Sequence, residues 1–304
     1  MQIIKVDHLT KDYGHHRGVF DISFEIKEGE VFGFLGPNGA GKTTTIRQML
    51  GFIYPDSGNI VIGGKEVKKS YYEINADIGY LPGEINFPEG MTGIEFIKWC
   101  AELRGLPDLT RSYELIDRFH LKNADKAMNR MSKGMKQKVG IVCAFMHNPS
   151  VYILDEPTSG LDPLMQQTFI DLIREEKHKG KTVLMSSHMF PEIEKTCDRT
   201  AIIKNGEIVA TVSLADILKA NHKTYKIKFL VAGESEKFVA AETFEYAEVN
   251  HEKNRLKIHI DDSDINRLLL SMTKYKVAYL SEIKMTLEDY FMHFYEMENG
   301  GEEQ

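Results

Sequence analysis

No stretch of this chain stays apolar for the roughly 18 residues that a membrane-crossing helix requires, so the polypeptide is not expected to cross a bilayer by itself. Its start, Met1-Gln2-Ile3-Ile4-Lys5, lacks the form of a signal peptide. Cysteine is scarce: Cys100, Cys143 and Cys197 lie far apart in the sequence, at no metal-ligand spacing. That pattern reads as a reduced, cytosolic chain whose thiols pack as small apolar groups. An excess of positive charge is missing too. The formal net charge is −7, the wrong sign for a general nucleic-acid binder. Neither internal repeats nor low-complexity segments occur. What remains is ordinary for a globular protein, 42% hydrophobic and 27% charged residues. At 304 residues there is enough chain for one large domain and a smaller one.

One stretch carries specific chemistry: Gly36-Pro37-Asn38-Gly39-Ala40-Gly41-Lys42-Thr43-Thr44. It fits G-x-x-x-x-G-K-[ST], a loop that wraps the phosphates of a nucleotide. The context supports the match, because a strand-like run (Glu30–Leu35) precedes it and a helix-like run (Thr45–Leu50) follows. Glycines let the backbone turn tightly enough for successive N–H groups to face phosphate oxygens. The helix then presents the positive end of its dipole to the same anion. Lys42 can reach the β- and γ-phosphates, and the Thr43 hydroxyl can ligate Mg²⁺.

Hydrophobic periodicity outlines the rest. Residues 1–65 read as β-rich, with strands at Ile3–Leu9, Val19–Ile26 and Asn59–Ile62 and one helix after the phosphate loop. From about Thr92 to Arg130 the apolar spacing becomes helical, as in Ile94, Ile97, Ala101 and then Leu115, Ile116, Phe119. Val151–Asp155 is a short apolar run of the kind buried inside a parallel sheet. Thr182–Ser186 and Ala201–Lys204 continue the alternation of helix and strand, which implies an α/β core. After about Ala220 the character changes. Strands at Tyr225–Val231, Phe244–Val249, Arg255–Ile260 and Lys276–Ile283 with helices at Ile265–Met272 and Leu287–Met297 suggest a small α+β appendage. Thr286 and Asp289 form a capping pair for the last helix, and Gly300–Gln304 reads as a frayed tail.

Val151–Glu156 ends in two acids. Asp155 is placed to hold Mg²⁺ beside Thr43, and Glu156 to polarise an attacking water as general base. At this point residues 2–215 resemble the nucleotide-binding subunit of an ATP-binding cassette (ABC) transporter. Tyr13 matches the aromatic that stacks on adenine, a contact worth about 1–3 kcal/mol per base. Met131-Ser132-Lys133-Gly134-Met135 resembles the family signature, Ser159-Gly160-Leu161-Asp162 the loop after the catalytic acid, and His188 the switch histidine. The resemblance implies a P-loop NTPase core of ABC-ATPase type over residues 1–219, with a β-rich N-terminal part and an inserted helical subdomain at about 91–145. Residues 220–304 would be an accessory α+β domain.

The same resemblance implies the function. Lys42, Glu156 and His188 would be catalytic. Tyr13, the phosphate loop from Gly36 to Thr44, Ser132, Gly134 and Asp162 would hold ATP, and Thr43 with Asp155 would hold Mg²⁺. Ser132 reads as a helix N-cap, and in the family this helix start contacts the γ-phosphate bound to a second ABC subunit. A homo- or heterodimer is therefore expected, with separate integral-membrane subunits that it drives from the cytoplasmic face of the membrane. Export is expected over import, and no nucleic-acid partner is. Glu288-Asp289-Tyr290-Phe291 is similar to the closing helix of such subunits.

Two departures stand out. The family's glutamine after Ile78–Pro82 is Gly83 here, which leaves Glu84 as the adjacent side chain that can reach inward. Lys133 and Met135 replace a signature Gly and Gln. The alternative is a soluble ABC-type ATPase acting on ribosomes or nucleic acid. It fits less well, since those relatives carry two cassettes or a cassette split by coiled coils. A GTPase would need a base-reading motif such as Asn-Lys-x-Asp, which is absent.

Overall fold

The computed structural model describes residues 2–218, 222–283, 286–289 and 291, and the chain divides into two compact units, 1–213 and 214–304. In the first unit the order is β1 (Gln2–Asp12), β2 (Gly18–Lys27), β3 (Val31–Leu35), α1 (Lys42–Met49), β4 (Ser57–Ile62), β5 (Lys65–Glu66), α2 (Val67–Ala76) and β6 (Ile78–Leu81). The helices α3 (Gly93–Leu103), α4 (Thr110–Arg118) and α5 (Lys133–Phe145) follow. The unit then runs β7 (Val151–Asp155), α6 (Pro163–His178), β8 (Thr182–Ser187), α7 (Phe190–Thr196), β9 (Arg199–Lys204) and β10 (Glu207–Ser213).

Two sheets build this unit. The first is antiparallel, in the order β2-β1-β4-β5. Buried and exposed residues alternate along β1 and β2, as half-buried strands require. The second sheet, β10-β9-β3-β8-β7-β6, has five parallel strands with β10 antiparallel at its edge. Its inner strands β3, β7 and β8 are buried at every residue. Helices or a second sheet must cover both faces of such strands. On one face Phe24 of β2 stacks on Phe32 at 5.5 Å and meets Phe34 at 5.6 Å, joining the two sheets. On the α5 and α6 side, Phe145 stacks on Tyr152 at 4.3 Å and Phe169 meets Phe145 edge-on.

Buried charge ties the helices together. Glu176 of α6 is fully buried, and its carboxylate accepts bonds from Arg111 Nη2 (2.9 Å), Lys179 Nζ (2.8 Å) and the Tyr152 hydroxyl (3.1 Å). Such a buried carboxylate is tolerated only with partners of this kind. Thr92 and Glu95 cap α3 reciprocally. Cys100 and Cys143, distant in sequence, share a hydrogen bond between α3 and α5; the contact lowers the Cys100 pKa and raises that of Cys143.

The edge strand β10 and the helix α2 lie outside the elements read from the sequence. The Asn205-Gly206 turn, with φ of 50° and 85°, was the available signal for β10, because two consecutive positive φ values suit a tight hairpin.

The second unit contains α8 (Leu214–Leu218), β11 (His222–Phe229), α9 (Glu234–Ala241), β12 (Glu245–Asn250), β13 (Arg255–Asp261), α10 (Ile265–Met272) and β14 (Val277–Ile283). Its sheet is antiparallel, β12-β13-β11-β14. Ile227, Phe229, Leu256 and Ile258 pack with Phe238 of α9 and Leu268 of α10 in a separate core. Thr286 and Asp289 bond reciprocally, backbone to side chain, at 3.0 Å each way. The helix expected over Leu287–Met297 lies largely outside the described residues.

Candidate nucleotide site

Three neighbouring parallel strands end at one place. In register, Leu35 of β3 sits beside Ser187 of β8, and Asp155 of β7 beside Ser186 of β8. The glycine loop, the Asp155-Glu156 pair and His188 therefore emerge together at the carboxyl edge of the sheet, where open α/β folds bind ligands.

The loop is fixed from behind. Gly36 N–H donates to the Ser187 carbonyl, and Gly206 N–H donates to the Ala40 carbonyl. Helix α1 starts directly after Gly41, whose φ is 109°. A Cβ at Gly41 would also fall 2.6 Å from Val19 Cγ1, so only glycine fits there. Lys42 is buried, and its ammonium donates to the carbonyls of Gly36 (2.7 Å) and Pro37 (3.1 Å). It also lies 3.3 Å from Glu156 Oε1.

Thr43 Oγ1 donates to Asp155 Oδ2 at 2.7 Å, while Ser186 Oγ donates to the other Asp155 oxygen. Glu156 follows with φ 48°, a left-handed conformation that strains a non-glycine residue and persists only when its surroundings enforce it. Here Ser186 takes the Glu156 N–H at 3.0 Å, and Gln137 Nε2 donates to the Glu156 carbonyl at 3.3 Å and that of Pro157 at 2.9 Å. So held, the Glu156 carboxylate meets Lys42 on one oxygen and His188 Nδ1 on the other, at 2.7 Å. A carboxylate can only accept, so Nδ1 carries the proton of that bond.

These groups line an open cleft of about 1420 Å³, together with Tyr13, Asn38, Gly39, Gly41, Thr43 and Thr44. Gly36, Pro37 and Ala40 support the loop from outside the lining. Tyr13 is half exposed, on a turn closed by its N–H to the Arg17 carbonyl. Arg17, Arg47 and Lys133 also line the cleft and add positive charge that suits a polyphosphate. Burial, reinforced by the Asp155 charge, pushes the Tyr80 hydroxyl up to about 12, so it stays a neutral donor. The polypeptide at Gly83 runs so close to Asp155 that a Cβ would lie 3.2 Å from Oδ2. Glu84 lines the cleft beside it.

Ser132, Gly134 and Asp162 are not among the lining residues. Ser132 caps α5 through the Met135 N–H, and Asp162 caps α6 through the Met165 N–H. Gly134 abuts Gly160, where a Cβ on Gly134 would fall 2.4 Å from the Gly160 carbonyl oxygen. Sequence reasoning missed Gln137, Arg17 and Arg47, and quoted Ser186 only as a neighbour of His188. No local pattern marks Gln137, since its partners lie about twenty residues away.

A family model described as "ABC transporter" matches residues 19–159. The chain is 38% identical over 223 residues to the bacitracin transport ATP-binding protein of Bacillus licheniformis, covering 73% of each sequence. It is 31% identical over 299 residues, 95% of each sequence, to an uncharacterised ABC transporter ATP-binding protein of Bacillus subtilis. A solved ATP-binding subunit of an ABC transporter is 34% identical and superposes with a TM-score of 0.66, over 71% of this chain and 92% of that one. The chain belongs to the ATP-binding proteins of the ABC transporter family.

Proposed function

We propose that this ATP-hydrolysing motor subunit works as one half of a cassette dimer, holding two ATP molecules between facing subunits and driving export through separate membrane subunits. The observation that carries the hydrolytic part of this reading is the convergence of Lys42 and His188 on the two oxygens of Glu156. The loop N–H groups and Lys42 bind the β- and γ-phosphates. An arriving γ-phosphate competes with Glu156 for Lys42, which frees that carboxylate to take a proton from the attacking water. His188 holds the other Glu156 oxygen in place.

The oxygens at the end of β7 and in the first turn of α1 fit Mg²⁺. Thr43 Oγ1 and the Asp155 carboxylate are hard oxygen ligands that lie side by side. That suits an ion that completes its shell with phosphate oxygens and water. When bound, Mg²⁺ offsets the charge that develops on the transferred phosphoryl group.

We assign Ser132, Gly134 and Asp162 to the facing subunit's ATP, since they lie outside their own cleft. No described helix is long and apolar enough to cross a membrane. The transport path we assign to separate partner subunits that hold this chain at the inner membrane face. To residues 214–304, a separate compact unit, we assign a structural or regulatory role. The direct test is phosphate release from ATP and Mg²⁺ by the chain co-purified with its membrane partner. A complex that binds ATP without releasing phosphate overturns the reading.

Glu84 is the carboxylate that can serve where Gly83 leaves no side chain. Glu84→Ala is expected to raise the Mg²⁺ concentration for half-maximal turnover by about tenfold, the lower end for loss of an outer metal partner. An unchanged Mg²⁺ titration removes Glu84 from the site.

A further inference from the structure

Helix α7 carries a carboxyl with no role so far. Glu192 is 5% exposed, and its Oε2 accepts the Ser187 hydroxyl at 2.5 Å. The same Ser187 oxygen accepts the Met189 N–H at 2.9 Å. These two bonds bracket His188. The histidine itself is half exposed, with 47% of its side chain accessible, so packing alone does not orient it. A carboxyl buried to this extent needs polar partners to offset its lost hydration, and the Ser187 hydroxyl is one of them. The helix beneath is well seated. Ile193 is fully buried against Gly33, and Thr196 Oγ1 donates to the Glu192 carbonyl at 2.7 Å.

We infer that Glu192 is a positioning residue for His188, acting through Ser187 to fix the backbone on both sides of the histidine and so aim Nδ1 at Glu156. Within hydrogen-bond reach of the imidazole, Glu156 is the acceptor, and a carboxylate contact of 2.7 Å is sensitive to small displacements of its partner. A loop of two residues, His188 and Met189, joins β8 to α7. Its geometry is therefore set by the Ser187 end and the α7 end, and Glu192 links the two. Burial raises the Glu192 pKa to about 7, with the Ser187 and Thr158 hydroxyls opposing and the Glu156 charge adding to the rise. The group thus senses the Glu156–His188 pair electrostatically as well as through the Ser187 bridge. The inference rests on the reading of Glu156 and His188 as the catalytic pair.

The test compares ATP turnover by the parent, Glu192→Ala, Glu192→Gln and Ser187→Ala, each also in a His188→Ala background, in the complex with the membrane partner. Glu192→Ala and Ser187→Ala are expected to lower kcat by about 10–100-fold, the size of a lost supporting partner. The KM for ATP should stay within about twofold, as expected when only the transition state is affected. Glu192→Gln keeps an oxygen that accepts the Ser187 bond and should recover most of the lost kcat. In the His188→Ala background Glu192→Ala should cost nothing further, because the two residues act as a unit.

A Glu192→Ala enzyme with parental kcat overturns the inference. So does an additive loss in the His188→Ala background, or a Gln variant as poor as the Ala variant. Should Glu192→Ala fail to fold, Ser187→Ala and Glu192→Gln decide by the same criteria. A parent complex without ATP turnover overturns the functional reading and this inference with it. An active parent indifferent to Glu192 overturns this inference alone.

Discussion

Glu156→Gln is expected to slow ATP turnover by about 10²–10⁴, the usual cost of losing a general base, while ATP remains bound. The substitution is nearly isosteric. Its amide keeps the side chain's length and one oxygen, and the backbone at φ 48° is still held by Ser186 and Gln137. What disappears is the capacity to accept a proton from water, together with the charge that pairs with Lys42 at 3.3 Å. Losing that charge near the incoming phosphates reduces repulsion, so affinity for ATP should hold or rise. The variant should therefore accumulate as an ATP-bound dimer. Steady-state phosphate release gives the rate, and light scattering with ATP and Mg²⁺ gives the mass. Parental turnover by Glu156→Gln removes Glu156 from the role of base. A monomer that persists with ATP, even with candidate partners supplied, removes the dimer.

Lys42→Ala acts at the preceding step. The ammonium is the buried cation among the residues of the glycine loop, and it is held ready on the Gly36 and Pro37 carbonyls. A charge-assisted hydrogen bond contributes about 1.5–3 kcal/mol, or about 10–100-fold in Kd. The loss should exceed one bond's worth, because Glu156 then faces the phosphates without its neighbouring cation. Titration of the variant with ATP, read by calorimetry at fixed Mg²⁺, is expected to show weakened binding rather than slowed chemistry at normal affinity. Unchanged affinity would falsify the phosphate-loop assignment. The two substitutions thus separate binding from chemistry within one pair of charges.

The parts of this site legible in the sequence are the local ones. A glycine loop between an apolar strand and a helix is defined by consecutive residues, as is a buried strand ending in Asp155-Glu156. The α/β core followed from strands that alternate with helices, and α10 was read with the bounds the structure gives it. Long-range features were hidden. The strand order β10-β9-β3-β8-β7-β6 depends on which apolar strands pair, and similar apolar strands do not encode their neighbours individually. Helix α9 escaped because Glu234–Ala241 mixes charged and apolar residues without a clear stripe, leaving Phe238 as its one fully buried apolar side chain beside the small Ser235. The positive φ of Glu156 was equally invisible. It is imposed by Ser186 and Gln137, which come from a different strand and a different helix. Arg17 and Arg47 went unmarked because no local motif ties either to the cleft that both line.

The contact of Gly134 with Gly160 has a mechanical consequence. Main chain rests on main chain there, with a separation too small for even one methyl group, so nothing compressible lies between the start of α5 and the segment that leaves Glu156. Displacement of either is passed to the other without slack. In a dimer arranged as proposed above, a push on the start of α5 would be handed on to the segment that follows Glu156.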